Sequence, residues 1–195
     1  MNPAAATRQG GFTMVELLIT FAIFALLLVI GLPNLTLWIQ NTNIRSAAES
    51  IQNGLQLART EAVRRNTQVE FALVAGIADQ ANVSATPDPA GLNWLVRIFQ
   101  PGGSYTSTDF IEGSGANSTP TALVTASGAT VVFNGLGRTN LTAINTIQIT
   151  NPSYTCIGAG GELRCLNVVV QIGGQIRMCD PSVAVGTGDT RSCAP

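Results

Sequence analysis

Residues 10–32 read GGFTMVELLITFAIFALLLVIGL, and this stretch decides how the remainder is understood. Its 12–32 portion carries one charge, Glu16. At about 1.5 Å per helical residue it is long enough to cross a hydrocarbon core of about 30 Å. A secretory signal has a shorter apolar region, about 7–15 residues, and no acid near its start. Arg8 precedes the run and the next basic residue is Arg45, so the positive-inside rule puts the N-terminus in the cytoplasm. Pro33 removes a backbone donor, which predicts a kink rather than an end, because helical periodicity resumes beyond it.

That periodicity is amphipathic. Ile44, Ala48, Ile51, Leu55, Ala58 and Ala62 recur at steps of four and three, while Arg45, Glu49, Gln52, Arg59 and Glu61 take the other faces. The pattern lasts fewer than three heptads, too short for a sustained coiled coil. One helix is therefore expected to have an apolar half, for lipid or neighbouring helices, and a half with a single stripe to bury on a sheet.

After Asn66 the texture changes to short β-rich runs at 68–74, 92–99, 130–133, 144–149 and 166–172, separated by Gly, Pro, Ser and Asn. Regions 76–91 and 101–120 read as loops. Gly173-Gly174, between VVVQI and QIRM, predicts a hairpin with a two-residue turn. The fold class expected is α+β, a long N-terminal helix packed on a mostly antiparallel head. Its divisions are a leader at 1–11, an apolar half-helix at 12–43 and a head at 44–195.

Cys156, Cys165, Cys179 and Cys193 contain no C-x-x-C pair, so disulfides in an oxidising compartment are the reading preferred over zinc or thioredoxin-like chemistry. Four cysteines allow three connectivities. The local one, Cys156 with Cys165 and Cys179 with Cys193, closes short loops and ties down a Gly- and Pro-containing tail, each loop worth about 3 kcal/mol in the chain-entropy model.

The composition argues against catalysis. The chain has 195 residues, 11% of them charged, a formal net charge of -1 and no histidine. A serine or cysteine nucleophile would lack its commonest base. The acids Asp79, Asp88, Asp109, Glu112, Glu162, Asp180 and Asp189 are scattered, mostly over expected loops. No enzyme, metal site or cofactor is expected.

Gly10-Gly11-Phe12-Thr13-Met14-Val15-Glu16-Leu17 resembles the processing site of type IV prepilins and type II secretion pseudopilins. The resemblance implies that a membrane prepilin peptidase cuts between Gly11 and Phe12 and methylates the Phe12 amine. It also gives Glu16 a reason. An acid in lipid costs about 2.5–3.5 kcal/mol and needs a partner, which the new ammonium of Phe12, its own or a neighbour's, supplies as subunits assemble. Glu16 and Pro33 are thus the assembly residues.

Two further matches narrow the family. Leu57-Ala58-Arg59-Thr60-Glu61-Ala62-Val63-Arg64-Arg65-Asn66 resembles a helix end, and Phe133-Asn134-Gly135-Leu136-Gly137-Arg138 a strand and turn, of the family holding type II secretion protein H and the FimT/FimU-like minor pilins. Read by charge alone, Arg59, Glu61, Arg64 and Arg65 form pairs on the helix surface. The resemblance implies a minor type IV pilin in the initiation or tip of pilus assembly, serving twitching motility, adhesion or DNA uptake. Its partners would be other minor and major pilins, the prepilin peptidase and the inner-membrane assembly platform. It would be a single-pass protein of the bacterial inner membrane with a periplasmic head, and part of a filament once assembled. The alternative is an H-type pseudopilin of type II secretion.

A second alternative is a DNA-binding minor pilin of natural transformation. Some FimT-type proteins use a basic Gly-Arg-x-Arg motif near the C-terminus, whereas here Gly186-Thr187-Gly188-Asp189-Thr190-Arg191 sets one arginine beside an acid. Arg164, Arg177 and Arg191, with Tyr154 as a stacking ring, are the candidate contacts. So few cations neutralise few phosphates, and DNA is not the expected partner.

Overall fold

The computed structural model describes residues 11–114, 121–186 and 188–193, and within them every side chain but those of residues 30–34. The chain divides into two compact units, Met1–Trp38 and Ile39–Pro195. One helix, α1, is assigned over Met14–Arg65. In the first unit its large apolar side chains are exposed, Phe21 by 61% and Phe24 by 57%. Among the described residues no helix is long and apolar enough to cross a membrane; the described side chains of the apolar run stop at Val29. The Pro33 side chain, the leader residues 1–10 with Arg8, and Thr187 lie outside the description.

The second unit is built on the α1 stripe. Ile44, Ala48, Ile51, Leu55, Ala58 and Ala62 are all at most 1% exposed and belong to one core that receives side chains from two sheets. The strands are β1 (Val69–Val74), β2 (Asn93–Ile98), β3 (Phe110–Gly113), β4 (Leu123–Ala126), β5 (Thr130–Phe133), β6 (Asn145–Thr150), β7 (Leu166–Val170) and β8 (Ile176–Cys179). One sheet runs β3-β2-β1-β5 and the other β4-β6-β7-β8, every pairing antiparallel. The fold is α+β, as the alternation of textures along the chain implies.

The sheets differ in how they meet water. On β6 burial alternates, with Asn145, Ile147 and Ile149 inward, because the outer face there is solvated. On β1 all six residues are buried. Phe71 and Leu73 face the helix, whereas Ala72 and Val74 join Ala78 and Leu95 in a second small core under the connection that follows β1.

Two local expectations are corrected. β3 lies within 101–120, expected to be loop, and β4 was not foreseen; both have four residues, too few to display a period. The β7–β8 turn is not a two-residue Gly-Gly turn. Gly174 N–H donates to Gln171 C=O and Gln171 N–H to Gln175 C=O, so Ile172 and Gly173 hold the centre. Only Gly174 has positive φ, at 87°. This is the three-residue loop with a left-handed glycine closing it.

The compact unit starts at Ile39, earlier than the apolar stripe alone implies, because polar side chains tie this part of α1 to loops. Asn151 Nδ2 donates to Gln40 Oε1, Arg164 N–H to Asn41 Oδ1, and Asn43 Nδ2 to Thr121 Oγ1, at 2.8, 2.8 and 2.9 Å. Such bonds carry no hydrophobic signature.

Gly54, in the helix interior, has a packing reason. A Cβ there would lie 2.6 Å from Trp94 Cδ2. The indole lies beside Phe71, its ring centroid 6.1 Å away, and its Nε1 donates to Ser50 Oγ at 3.0 Å. Alanine would gain about 1 kcal/mol of helix propensity but overpack the site by about 1–3 kcal/mol. Gly54→Ala is therefore expected to lower the thermal midpoint of the full chain in detergent by several degrees and to red-shift its tryptophan emission. A raised midpoint would contradict this packing.

Candidate functional site

At the start of α1, Thr13 is the cap: its Oγ1 accepts from Glu16 N–H at 3.2 Å and its carbonyl from Leu17 N–H at 3.1 Å. Thr13-Met14-Val15-Glu16 is thus a capping-box sequence, with the acid also favoured by the positive helix N-terminus. The sequence reading missed this second role, although the T-x-x-E spacing displays it. Gly11 and Phe12 precede the cap in non-helical chain, with open space around the Gly11 α-carbon and Phe12 83% exposed. The peptide bond between them is accessible. Among the described residues the Glu16 carboxylate has no ion-pair partner.

In the head, the two sequence matches far apart in the chain meet. Asn66 takes a left-handed conformation at φ 48°. Its N–H donates to Val63 C=O and that of Thr67 to Ala62 C=O, so the last helical carbonyls are satisfied in a Schellman arrangement. The turn after β5 closes on this cap. A Cβ on Gly135 would fall 2.5 Å from Asn66 Oδ1, and one on Gly137 would fall 3.1 Å from Arg59 Nε. Leu136 projects from this turn, 81% exposed, beside the half-exposed Val63.

Charge at this end is partly self-paired. Glu61 accepts from Arg64 at 2.6 Å and from Arg65 at 2.7 Å. The hydrogen bonds from Arg64 and then Arg65 hold the Glu61 carboxyl at about 2. Arg59 takes no part in the expected surface pairing and has no ion pair or hydrogen bond among the described residues.

A third cluster was not legible from spacing. Glu70 and Arg97 face each other across β1 and β2 on the side away from α1, with Arg97 Nε 2.7 Å from Glu70 Oε2 and both side chains buried. Tyr105 OH donates to the same oxygen at 2.6 Å, and its ring lies 3.6 Å from Arg97 Cζ. Arg97 Nη1 donates to Val83 C=O at 2.5 Å. Every polar group named is used to fasten the loops on either side of β2. A buried pair so bonded costs about 3–5 kcal/mol when one partner is removed.

At the C-terminal end, disulfides join Cys156 to Cys165 and Cys179 to Cys193, and among the described residues no cysteine is free. Arg164 Nε lies 3.5 Å from Asp180, and Arg191 pairs with Asp189 at 2.7 Å. Arg177 is half-buried, and among the described residues its Nε and Nη2 are buried without an acceptor. Two of the three candidate DNA contacts therefore lie against acids, and the third, half-buried, has two of its guanidinium nitrogens buried. Among the described residues no group of acids or cysteines has the geometry to hold a metal.

Residues 47–174 match the family model of the type II transport protein GspH, and residues 6–32 that of the prokaryotic N-terminal methylation motif. The first match spans more than half of the chain, which therefore belongs to the family of type II transport protein GspH. Crystal structures of the Pseudomonas aeruginosa type IV minor pilin FimU share this fold. One aligns with a TM-score of 0.56 at 16% identity, over 76% of this chain and 97% of that one. A second crystal form gives 0.52 at 16%, over 73% and 97%. The solution structure of Escherichia coli GspH aligns more distantly, with a TM-score of 0.41 at 12% identity over 72% and 89%. Comparison with curated proteins gives no significant match.

The Tyr105 cluster has a measurable signature. Burial, then the hydrogen bond to Glu70, push the phenol up to about 12 from 10.0. The folded state thus prefers the protonated phenol, so this stabilisation is complete below pH 10 and is lost as pH rises toward 12. Urea unfolding of the full chain should show stability falling over that window, and Tyr105→Phe should flatten the fall while lowering stability at neutral pH. An unchanged alkaline slope would contradict the coupling.

Proposed function

We propose that this chain is a minor pilin: a structural subunit, cut between Gly11 and Phe12 and methylated on Phe12, that joins other pilins where a filament is initiated or at its tip. The observation that carries the reading is at the start of α1. A cleavable Gly-Phe bond stands exposed immediately before a capped helix. Glu16, one turn further on, has no cationic partner among the described residues. Cleavage creates that partner. The Phe12 ammonium, on the same or a neighbouring subunit, neutralises Glu16, and the pairing marks the register in which helices bundle.

On this reading residues 12–32 cross the inner membrane before assembly, and the exposed apolar side chains of the first unit are covered by lipid and later by neighbouring subunits. Pro33 lets the helix bend as it moves between the two. The disulfides agree with a periplasmic head, where oxidised cysteines persist. The prepilin peptidase and an inner-membrane assembly platform are the partners of processing and extrusion. The head works through surfaces rather than catalysis. DNA is not its main ligand, since Asp180 and Asp189 engage Arg164 and Arg191.

A pseudopilin of type II secretion is the second reading, favoured by the GspH family match over 47–174. Both readings share the processing step and the head.

Intact-mass analysis of the membrane fraction tests that step. The mature chain is expected to begin at methylated Phe12, and Gly11→Val to block cutting. Retention of residues 1–11 in cells with active prepilin peptidase would contradict the proposal. Glu16→Ala should leave insertion intact or improved yet reduce the amount recovered with other subunits, two effects of opposite sign. Unreduced recovery would remove the pairing role.

A further inference from the structure

β8 is an edge strand, hydrogen-bonded to β7 on one side. The Gln171 N–H to Gln175 C=O bond fixes the alternation of the ladder: backbone groups of Gln175, Arg177 and Cys179 point to β7, and those of Ile176, Met178 and Asp180 to the open side. At Asp180 that side is already in use, since its N–H donates to Arg191 C=O at 2.7 Å. The chain's own tail thus begins to add a strand and then leaves. At Ile176 and Met178 the outward backbone groups have no partner among the described residues.

Beside this edge lies a groove of about 510 Å³ between α1 and β8, lined by Gln56, Arg59, Thr60, Val63, Arg64 and Ile176. Its floor is apolar at Val63 and Ile176, and the unpaired Arg59 stands at its rim. On the other face of β8, Arg177 holds Nε and Nη2 buried without an acceptor among the described residues, a costly state for a guanidinium. The groove thus flanks the open edge on the α1 face, and Arg177 lies on the other face of the same strand.

We infer that the open edge of β8 accepts an extended segment of another subunit, with apolar side chains toward α1 and a carboxylate level with Arg177. Alternation along an added strand produces this pattern, because the residue level with Arg177 shares its face while the residues before and after it turn toward Val63 and Ile176. Main-chain bonds to Ile176 and Met178 supply affinity, and the carboxylate supplies selectivity. The inference rests on the reading of the chain as an assembling subunit and assigns the contact.

The test uses the full chain in detergent micelles and two ten-residue peptides alternating valine and threonine, one with a central glutamate and one with lysine there. The glutamate peptide is expected to slow amide exchange at Ile176 and Met178 at least tenfold, leaving Arg177 and Cys179, already bonded to β7, unchanged. The lysine peptide should not. Met178→Pro removes an outward N–H, which an edge strand tolerates, together with a side chain packed on the core, and should abolish the slowing. Arg177→Gln should abolish the preference for glutamate, and decides the matter should the proline variant not fold. No slowing, equal slowing by both peptides, or slowing that survives Met178→Pro would overturn the inference. In cells, wild-type recovery of Met178→Pro with other pilin subunits would overturn the β8 contact while leaving the assembly reading intact. Failure of the wild-type chain to co-purify with any such subunit would overturn the assembly reading itself.

Discussion

Water is excluded from one stripe of α1, Ile44, Ala48, Ile51, Leu55, Ala58 and Ala62, by two antiparallel sheets that close on it from the strands' inner faces. Half of those residues are alanines, so the backbone of the helix comes close to the sheets, and Gly54 brings it closer still over the Trp94 ring. The close approach sets the positions of everything at that end. It fixes Asn66 as the left-handed cap, lets the Gly135 turn close on it, and leaves a groove between α1 and the first residue of β8. The surfaces the head offers to other molecules follow from a packing requirement rather than from a binding pocket.

Where burial is one-sided, the residues declare it. The α1 stripe and the strand expected at 144–149 could be placed because each has one wet face and one dry one. β3 and β4 hold barely two turns of a period-two pattern in four residues, whereas β5, equally short, was marked by its β-branched and aromatic run TVVF. Glu70 and Arg97 were hidden for a different reason: a charge in a strand ordinarily marks the wet face, and here two charges neutralise each other under a loop. Nothing local to VEFALV or NWLVRI announces that pairing, which depends on the register of β1 against β2.

The same contrast holds for the functional residues. Gly11, Phe12 and Glu16 stand in one short contiguous stretch, within the residues 6–32 that match the N-terminal methylation motif. Thr13 could have been read as the cap from its spacing to Glu16. The open edge of β8 could not, since which backbone groups face outward is a property of the ladder and of the turn that sets its phase. The glycine pair at 173–174 announced a hairpin but not that phase, and the phase decides whether Ile176 or Arg177 presents its N–H to a partner.

The central claim is that this chain is a structural subunit whose first unit, apolar and exposed on its own, is covered by the corresponding segments of other pilins. Site-specific photocrosslinking from position 18 in intact cells addresses it directly, because Leu18 is 67% exposed and is none of the residues assigned to processing. The account predicts covalent adducts between the mature chain and the N-terminal segments of other processed pilin subunits, identified by mass spectrometry, and their loss when prepilin peptidase is inactivated. Adducts with lipid alone, or with proteins that carry no prepilin segment, would contradict it.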